Sequence, residues 1–157
     1  MINPEILDDL HHRPPYLLID NVIEVSESHI HTIKTLSEDE YFFKGHFPGA
    51  PIVPGALLHE MTTQSAGVLI ARKHNPMKDY NTHDPYHNEF ALGVLSRIYD
   101  SKFKGFAKPN DQLNIKIELI EKLENAFRFK GKIYKNDEII MKNEFSLMNI
   151  PSKLLYS

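Results

Sequence analysis

The segment from Ala56 to Lys73 constrains the fold most strongly, because it is long, has no proline and carries little charge on any side. Its good helix formers predict one helix, about 27 Å long at 1.5 Å per residue. Arg72 and Lys73 stand in the predicted last turn, and Asn75 and Pro76 follow as stop signals. A helix with so little charge is usually buried on most of its surface, so we expect a sheet that curls around it.

The segments on both sides of this helix have the composition or the period-two alternation of strands. A short helix that ends near Leu10 precedes them. Two strands are predicted before the long helix and four after it: Tyr16 to Val25, His29 to Leu36, Phe90 to Tyr99, Leu113 to Leu119, Phe127 to Ile133 and Glu138 to Met148. This order predicts an α+β fold with antiparallel neighbouring strands, since helices and strands do not alternate.

Length and composition narrow the class of protein. A chain of 157 residues has the size of one domain, so we expect residues 1–157 to form a single unit. The lack of cysteine excludes a disulfide scaffold, a thiolate nucleophile, a cysteine-rich zinc site and an iron–sulfur cluster. The net charge of -3 argues against nucleic-acid binding. The first ten residues lack the pattern of a secretory signal, and apolar runs are short, so we expect a soluble cytoplasmic protein without membrane insertion.

A rigid loop and the start of the long helix hold the residues best suited to acid/base chemistry. Residues 41–55 are rich in glycine and proline, which predicts a shaped loop. His46 lies in this loop and Glu60 in the helix, and such a pair can accept and donate protons near neutral pH. Unpaired N–H groups at Gly55 and the following residues can stabilise a carbonyl oxygen that gains negative charge. The alternative also stands at this point: a loop histidine bound to backbone and a glutamate that faces water.

The remaining histidines give weaker signals. His83 and His87 have a spacing that suits a metal on one helical face, but Pro85 lies between them, so we expect no metal site. Six others are predicted to be surface or turn residues: His11, His12, His29, His31, His59 and His74.

The sequence from residue 46 to residue 60 reads His-Phe-Pro-Gly-Ala-Pro-Ile-Val-Pro-Gly-Ala-Leu-Leu-His-Glu, and Gln64 follows one helical turn later. This stretch closely resembles the signature of the hotdog-fold 3-hydroxyacyl-acyl-carrier-protein dehydratases. Residues 12–20, Gly93 and residues 103–113 resemble further segments of that family, so the likeness extends over most of the chain. The fold it implies is an antiparallel sheet wrapped around one long central helix.

The resemblance implies that the chain dehydrates 3-hydroxyacyl chains carried on acyl carrier protein, in fatty-acid synthesis or a related specialised lipid or polyene pathway. It implies catalytic roles for His46 and Glu60, contributed by opposite subunits of a homodimer or higher homo-oligomer. Glutamate at position 60 is typical of the subgroup that does not isomerise the double bond. Expected substrate-binding residues are Phe47, Gly55, Gln64 and Gly93, and no cofactor is needed. A hotdog thioesterase and a non-catalytic thioester-binding subunit remain alternatives.

Some positions depart from the family pattern. Asn110 replaces the glycine of a Pro-Gly-Asp turn, and asparagine tolerates the positive φ that this turn requires. Gly105 and Phe106 replace residues that are often proline and aliphatic, which would alter the acyl tunnel. In the long loop of residues 74–89, Tyr80 and Tyr86 either form a lid or part of the tunnel, or belong to a mobile solvated loop.

A basic rim is expected because the carrier protein is acidic. The candidate residues cluster near strand ends: Arg97, Lys102, Lys104 and Lys108. A solvated strand edge is the alternative interpretation of the same residues.

Overall fold

The computed structural model of the protein describes residues 1–84, 86 and 92–156. The elements follow the predicted order. The helices are α1 (Glu5–Asp9) and α2 (Gly55–Lys73), and a 3₁₀ turn, Ser152–Leu155, follows the last strand. The strands are β1 (Asn21–Val25), β2 (His29–Thr35), β3 (Leu92–Phe103), β4 (Gln112–Leu123), β5 (Ala126–Lys135) and β6 (Glu138–Ile150).

The six strands form one sheet in the order β1-β2-β4-β5-β6-β3, and all neighbouring strands are antiparallel. Helix α2 packs against five of them, which confirms the prediction of a sheet curled around one long helix. Large buried side chains of the sheet face this helix, among them Phe129 and Phe145. Strand β3 forms one edge of the sheet.

The inner and outer faces of the sheet follow the period-two pattern. In β4 and β5 the buried residues alternate with exposed or half-buried ones, as the sequence predicts. Apolar residues of α2 such as Met61 and Leu69 are completely buried against the inner face. The prediction of a mostly buried helix is therefore confirmed.

The first strand differs from the prediction. It begins at Asn21 rather than Tyr16, although Leu17, Leu18 and Ile19 are buried as expected. The backbone N–H of Leu18 donates to the side-chain oxygen of Gln64 rather than to another strand. The segment is apolar because it is buried beside α2. Hydrophobic periodicity alone does not distinguish such a buried segment from a buried strand.

Two further observations bear on the predictions. Asn110 has a φ of 70°, so the asparagine occupies the left-handed conformation expected at the turn before β4. Among the described residues, no helix is long and apolar enough to cross a membrane. Several predictions include residues that lie outside the described ones: Pro85, His87, Phe90 and Ala91.

Candidate active site

Glu60 stands on the second turn of α2, and its side chain is 18% exposed. Its Oε2 accepts a hydrogen bond from the Thr63 hydroxyl at 2.9 Å, and its Oε1 accepts one from Gln64 Nε2 at 3.0 Å. Both donors lie on the next turn of the same helix, where residues three and four apart are neighbours. The carboxylate is therefore held in one orientation.

Gln64 is 1% exposed, and its amide group is fully used by the protein. Its Oε1 accepts from the Leu18 N–H at 2.8 Å, which identifies the other side-chain atom as nitrogen. That Nε2 donates to the Tyr16 carbonyl at 2.8 Å as well as to Glu60. Gln64 thus joins the catalytic candidate Glu60 to the buried segment before β1.

His12 also lies beside Glu60, with 3.7 Å between His12 Nε2 and Glu60 Oε1. Its ring stacks on Tyr16, with 6.1 Å between centroids. Burial lowers the pKa of the His12 imidazole, and the charge of Glu60 opposes this shift only in part. The prediction of a surface or turn role missed this proximity, because 48 residues separate the two positions and no local pattern joins them.

A cavity of about 310 Å³ opens next to Glu60. Polar groups at its wall include Glu60, His12, Thr63 and Asn149, and Gly93 of β3 also lines it. The rest is largely apolar: Leu10, Gly67, Ile70, Ala71, Val94, Leu95, Leu147 and Leu155. One carboxylate at the wall of an apolar cavity can bind a substrate with an aliphatic chain and a polar reacting end.

His46 lies in the loop before α2 and is half-buried. Its Nδ1 is 3.0 Å from the Ile52 carbonyl oxygen, which can only accept, so Nδ1 carries the proton in this bond. The neutral ring then has its lone pair on Nε2, where it can act as a base. Phe47 stacks on the ring at 4.1 Å between centroids, and its own side chain is 52% exposed.

Gly55 is the first residue of α2, where helix N–H groups lack partners within the helix. The Phe103 ring lies over it, and a side chain at Gly55 would place a Cβ 3.1 Å from Phe103 Cε1. The Val53 N–H donates to the Ala107 carbonyl at 2.9 Å, which ties this end of the helix to the segment after β3.

The structure brings Glu60 and Gly93 together at one cavity, with Gln64 directly behind Glu60. His46, Phe47 and Gly55 do not line that cavity. Within the described part of the chain, no hydrogen bond or ion pair joins His46 to Glu60. One chain therefore presents the two catalytic candidates at separate places.

The four candidates for carrier binding are all exposed. The Arg97 guanidinium lies 4.6 Å from the centre of the Tyr99 ring, and Lys102 forms an ion pair with Asp100 at 3.6 Å. Lys104 and Lys108 stand in the segment between β3 and β4. Their role in binding a carrier stays a prediction.

The prediction for His59 is wrong, because this residue is 6% exposed and packs edge-on against Phe145. Its Nδ1 is 3.1 Å from Asn143 Nδ2 and 3.2 Å from Ser101 Oγ. Burial lowers the pKa of His59, and Glu60 opposes the shift. The sequence pattern did not predict the burial of His59, because a histidine in a helix is usually at least partly exposed.

Tyr80 lines the cavity, and its hydroxyl donates to the Asp9 carbonyl at 2.7 Å. This position agrees with a role in the tunnel wall. Tyr86 is 69% exposed, and its ring lies tilted against the Tyr156 ring, at 4.4 Å between centroids. His83 contacts Asp8 at 3.2 Å, and the residues that the structure covers include no group of three metal-binding side chains.

An antiparallel sheet wrapped around one long central helix defines a hotdog-fold protein. A family model for the FabA-like domain matches residues 10–144. The chain is 37% identical to the 3-hydroxyacyl-[acyl-carrier-protein] dehydratase FabZ of Petrotoga mobilis over 127 residues, which cover 81% of this chain and 82% of that protein. It is 34% identical to the FabZ dehydratase of Shewanella loihica over 141 residues, 89% of this chain and 86% of that protein.

Solved structures show the same fold. The dehydratase heterocomplex ApeI:P from Xenorhabdus doucetiae superposes with a TM-score of 0.80 at 22% identity, covering 96% of this chain and 94% of that one. A hypothetical thioesterase from Streptococcus pneumoniae, solved with coenzyme A, has a TM-score of 0.58 at 13% identity and covers 83% and 85% of the two chains. The chain belongs to the FabA-like family, among the FabZ 3-hydroxyacyl-acyl-carrier-protein dehydratases.

Proposed function

We propose that the protein removes water from 3-hydroxyacyl chains on acyl carrier protein and releases the trans-2-enoyl thioester, as a step of fatty-acid synthesis. Residues 1–157 act as one dehydratase domain. The observation that carries the proposal is the Glu60 carboxylate, oriented by Thr63 and Gln64 at the wall of an apolar cavity. The similarity to FabZ dehydratases over most of the chain supports the same reaction.

In the proposed mechanism, His46 Nε2 takes a proton from C2 of the substrate. The C3–O bond breaks, a double bond forms between C2 and C3, and Glu60 in its acid form gives the proton that converts the leaving hydroxyl to water. The bond from His46 Nδ1 to the Ile52 carbonyl keeps Nε2 free for this step. The elimination of water changes no net oxidation state, so it needs no redox cofactor. The thioester makes the proton on C2 acidic enough for a histidine to remove.

Some of the expected substrate-binding residues contact the substrate, and one of them positions Glu60. Backbone N–H groups near Gly55 and Gly93 polarise the thioester carbonyl, and Phe47 presents an exposed ring beside His46. Gln64 acts through Glu60, since the protein already uses its amide group. Carrier binding by the basic rim remains part of the proposal, as does a cytoplasmic location, which suits a chain without cysteine.

We further propose a homodimer in which His46 of one chain completes the cavity that holds Glu60 of the other. The separation of the two side chains within one chain favours this arrangement. Strand β3 supports it, because this edge strand leaves Val94, Leu95 and Ile98 exposed. A long apolar edge strand is suited to pairing with a second strand.

The first test follows enoyl formation by mass spectrometry from 3-hydroxyacyl carrier proteins of several chain lengths. We expect loss of 18 mass units, as one water requires, and no loss at any length would refute the activity. Appearance of the free acid would indicate a thioesterase instead. His46→Ala and Glu60→Gln should each lower kcat by about 10²-fold or more while the fold is retained.

Mixing these two inactive variants tests the shared site. If they exchange subunits, half of the dimers are mixed, and each mixed dimer has one site with both residues intact. About one quarter of the wild-type activity should return. No recovery, in a mixture where native mass spectrometry detects mixed dimers, would place both residues of a site on the same chain. A protein that remains monomeric would refute the dimer.

A further inference from the structure

Four lysines stand opposite one another across four adjacent strands. Lys116 of β4 pairs with Lys132 of β5, Lys132 pairs with Lys142 of β6, and Lys142 pairs with Lys102 of β3. Directly opposite residues in antiparallel strands point to the same face of the sheet. Lys102, Lys116 and Lys132 are exposed and Lys142 is half-buried, so this lysine row lies on the outer face, away from α2.

The lysine row is unfavourable for the isolated chain, because like charges directly opposite each other repel. One lysine of the row forms an ion pair, Lys102 with Asp100 at 3.6 Å. Lys116 lies over the Tyr134 ring at 5.4 Å. Across the residues that the structure describes, no ion pair joins Lys132 or Lys142 to an acid. Lys102 stands on the edge strand β3, and the other three lysines stand on interior strands.

The neighbouring row on the same face shows the contrast. There, Asp100 is opposite Glu144, Glu144 is opposite Lys130, and Lys130 is opposite Glu118. Lys130 therefore has an acidic residue on each side. The neighbouring row carries three acids and one lysine, whereas the lysine row two residues away carries four lysines with no acid directly opposite any of them.

The spacing of the lysine row fits an acidic helix. Neighbouring strands are about 4.8 Å apart, so the four lysines extend over about 14 Å. A helix that lies across the strands presents one residue per turn along its contact line, every 5.4 Å or so. Acidic residues on three successive turns would then each face the line of lysines.

The position of the lysine row also fits delivery of a substrate to His46. Beyond Lys102, the N–H groups of Lys104 and Gly105 bond to the Ile140 carbonyl at 2.7 and 3.2 Å. The same segment reaches Ala107, whose carbonyl binds Val53 in the loop that carries His46. The end of the row is thus connected to the catalytic loop through a few residues.

We propose that the lysine row of Lys102, Lys116, Lys132 and Lys142 is the docking surface for an acidic helix of the acyl carrier protein. The identity of the carrier rests on the proposed function. The charged surface itself does not depend on catalysis, since it is defined by the strand register, which places no acid directly opposite any of the four lysines. Docking there adds to the basic rim, with which it shares Lys102.

The test compares Lys132→Gln/Lys142→Gln with the wild type and with Lys130→Gln as a matched control. Lys130 lies on the same strand and face but between two acidic neighbours. Fluorescence anisotropy measures binding of labelled acyl carrier protein at low and high salt. Turnover is measured on the carrier-bound substrate and on the same acyl group as an N-acetylcysteamine thioester, which has no protein to dock.

We expect the double variant to bind the carrier about tenfold more weakly, with a flatter salt dependence, and to lose a similar factor in kcat/KM on the carrier substrate. The small thioester should react as with the wild type, and Lys130→Gln should behave as the wild type in both assays. Thermal stability should be unchanged or higher, because the three like-charge pairs of the row are removed.

Unchanged carrier binding in the double variant would overturn the proposal. Equal weakening by Lys130→Gln would overturn it too, since the effect would then follow net charge rather than the row. An equal loss on the small thioester would indicate damage to the site. If the wild type converts neither substrate, the proposed function fails, while the anisotropy data still decide whether the lysine row binds the carrier.

Discussion

Replacement of Gln64 by leucine tests the link between the buried segment before β1 and the catalytic helix. Leucine fills a similar volume, so little cavity forms. The variant leaves the Leu18 N–H without an acceptor in a completely buried place, which costs about 1–3 kcal/mol. The Tyr16 carbonyl loses its donor nearer the surface, at about 1 kcal/mol. We therefore expect Gln64→Leu to lower the free energy of unfolding by about 2–4 kcal/mol.

Urea unfolding followed by circular dichroism measures this loss, at one protein concentration because subunit association would add to stability. Thr63→Val is the matched control. It removes a donor to Glu60 but keeps the bonds to Leu18 and Tyr16, so its loss should be about 1 kcal/mol or less. The reasoning fails if Gln64→Leu stays within about 1 kcal/mol of the wild type, or if both variants lose the same stability.

Two other predictions concern close packing and titration. Gly131→Ala should destabilise the fold by roughly 1–3 kcal/mol in urea unfolding, because the added Cβ would collide with Asn143 Oδ1 and lie 3.2 Å from Ile117 Cδ1. Gly45→Ala is the control, since a Cβ added there has no atom within 4 Å. Its stability should change by less than about 0.5 kcal/mol. Burial lowers the pKa of His59, so the unfolded chain binds more protons and stability falls as pH drops below about 6.5. His59→Gln should lose less stability than the wild type between about pH 7 and pH 5, and thermal melts that remain parallel over this range would contradict the assignment.

The loop and helix of the site were predictable because their signals are local. Glycine and proline density marked the loop of His46, and the lack of charge marked α2 as buried. These signals and the 46–60 stretch predicted the fold class and the family, and the structure and the similarity to FabZ dehydratases confirm both. The roles of the individual site residues stay predictions.

Other features lacked any local signal. Glutamine and histidine in a helix are usually exposed. Gln64 and His59 are nevertheless buried, and each is in contact with a polar group from a distant segment. His12 reaches Glu60 only because the segment before β1 packs beside α2. Each of these contacts joins residues more than 40 positions apart, where periodicity carries no information.

The sequence by itself determined the number and type of elements, the buried helix and the chemistry of the loop, because each depends on backbone preferences and on burial patterns within a few residues. Tertiary structure decided which groups meet. The alternation along each strand determines which side chains lie on the same side of the sheet. The pairing register determines which residues of neighbouring strands are directly opposite each other. Only this register aligns Lys102, Lys116, Lys132 and Lys142. Packing of the chain on α2 likewise placed His12 beside Glu60 and formed the cavity at its side chain.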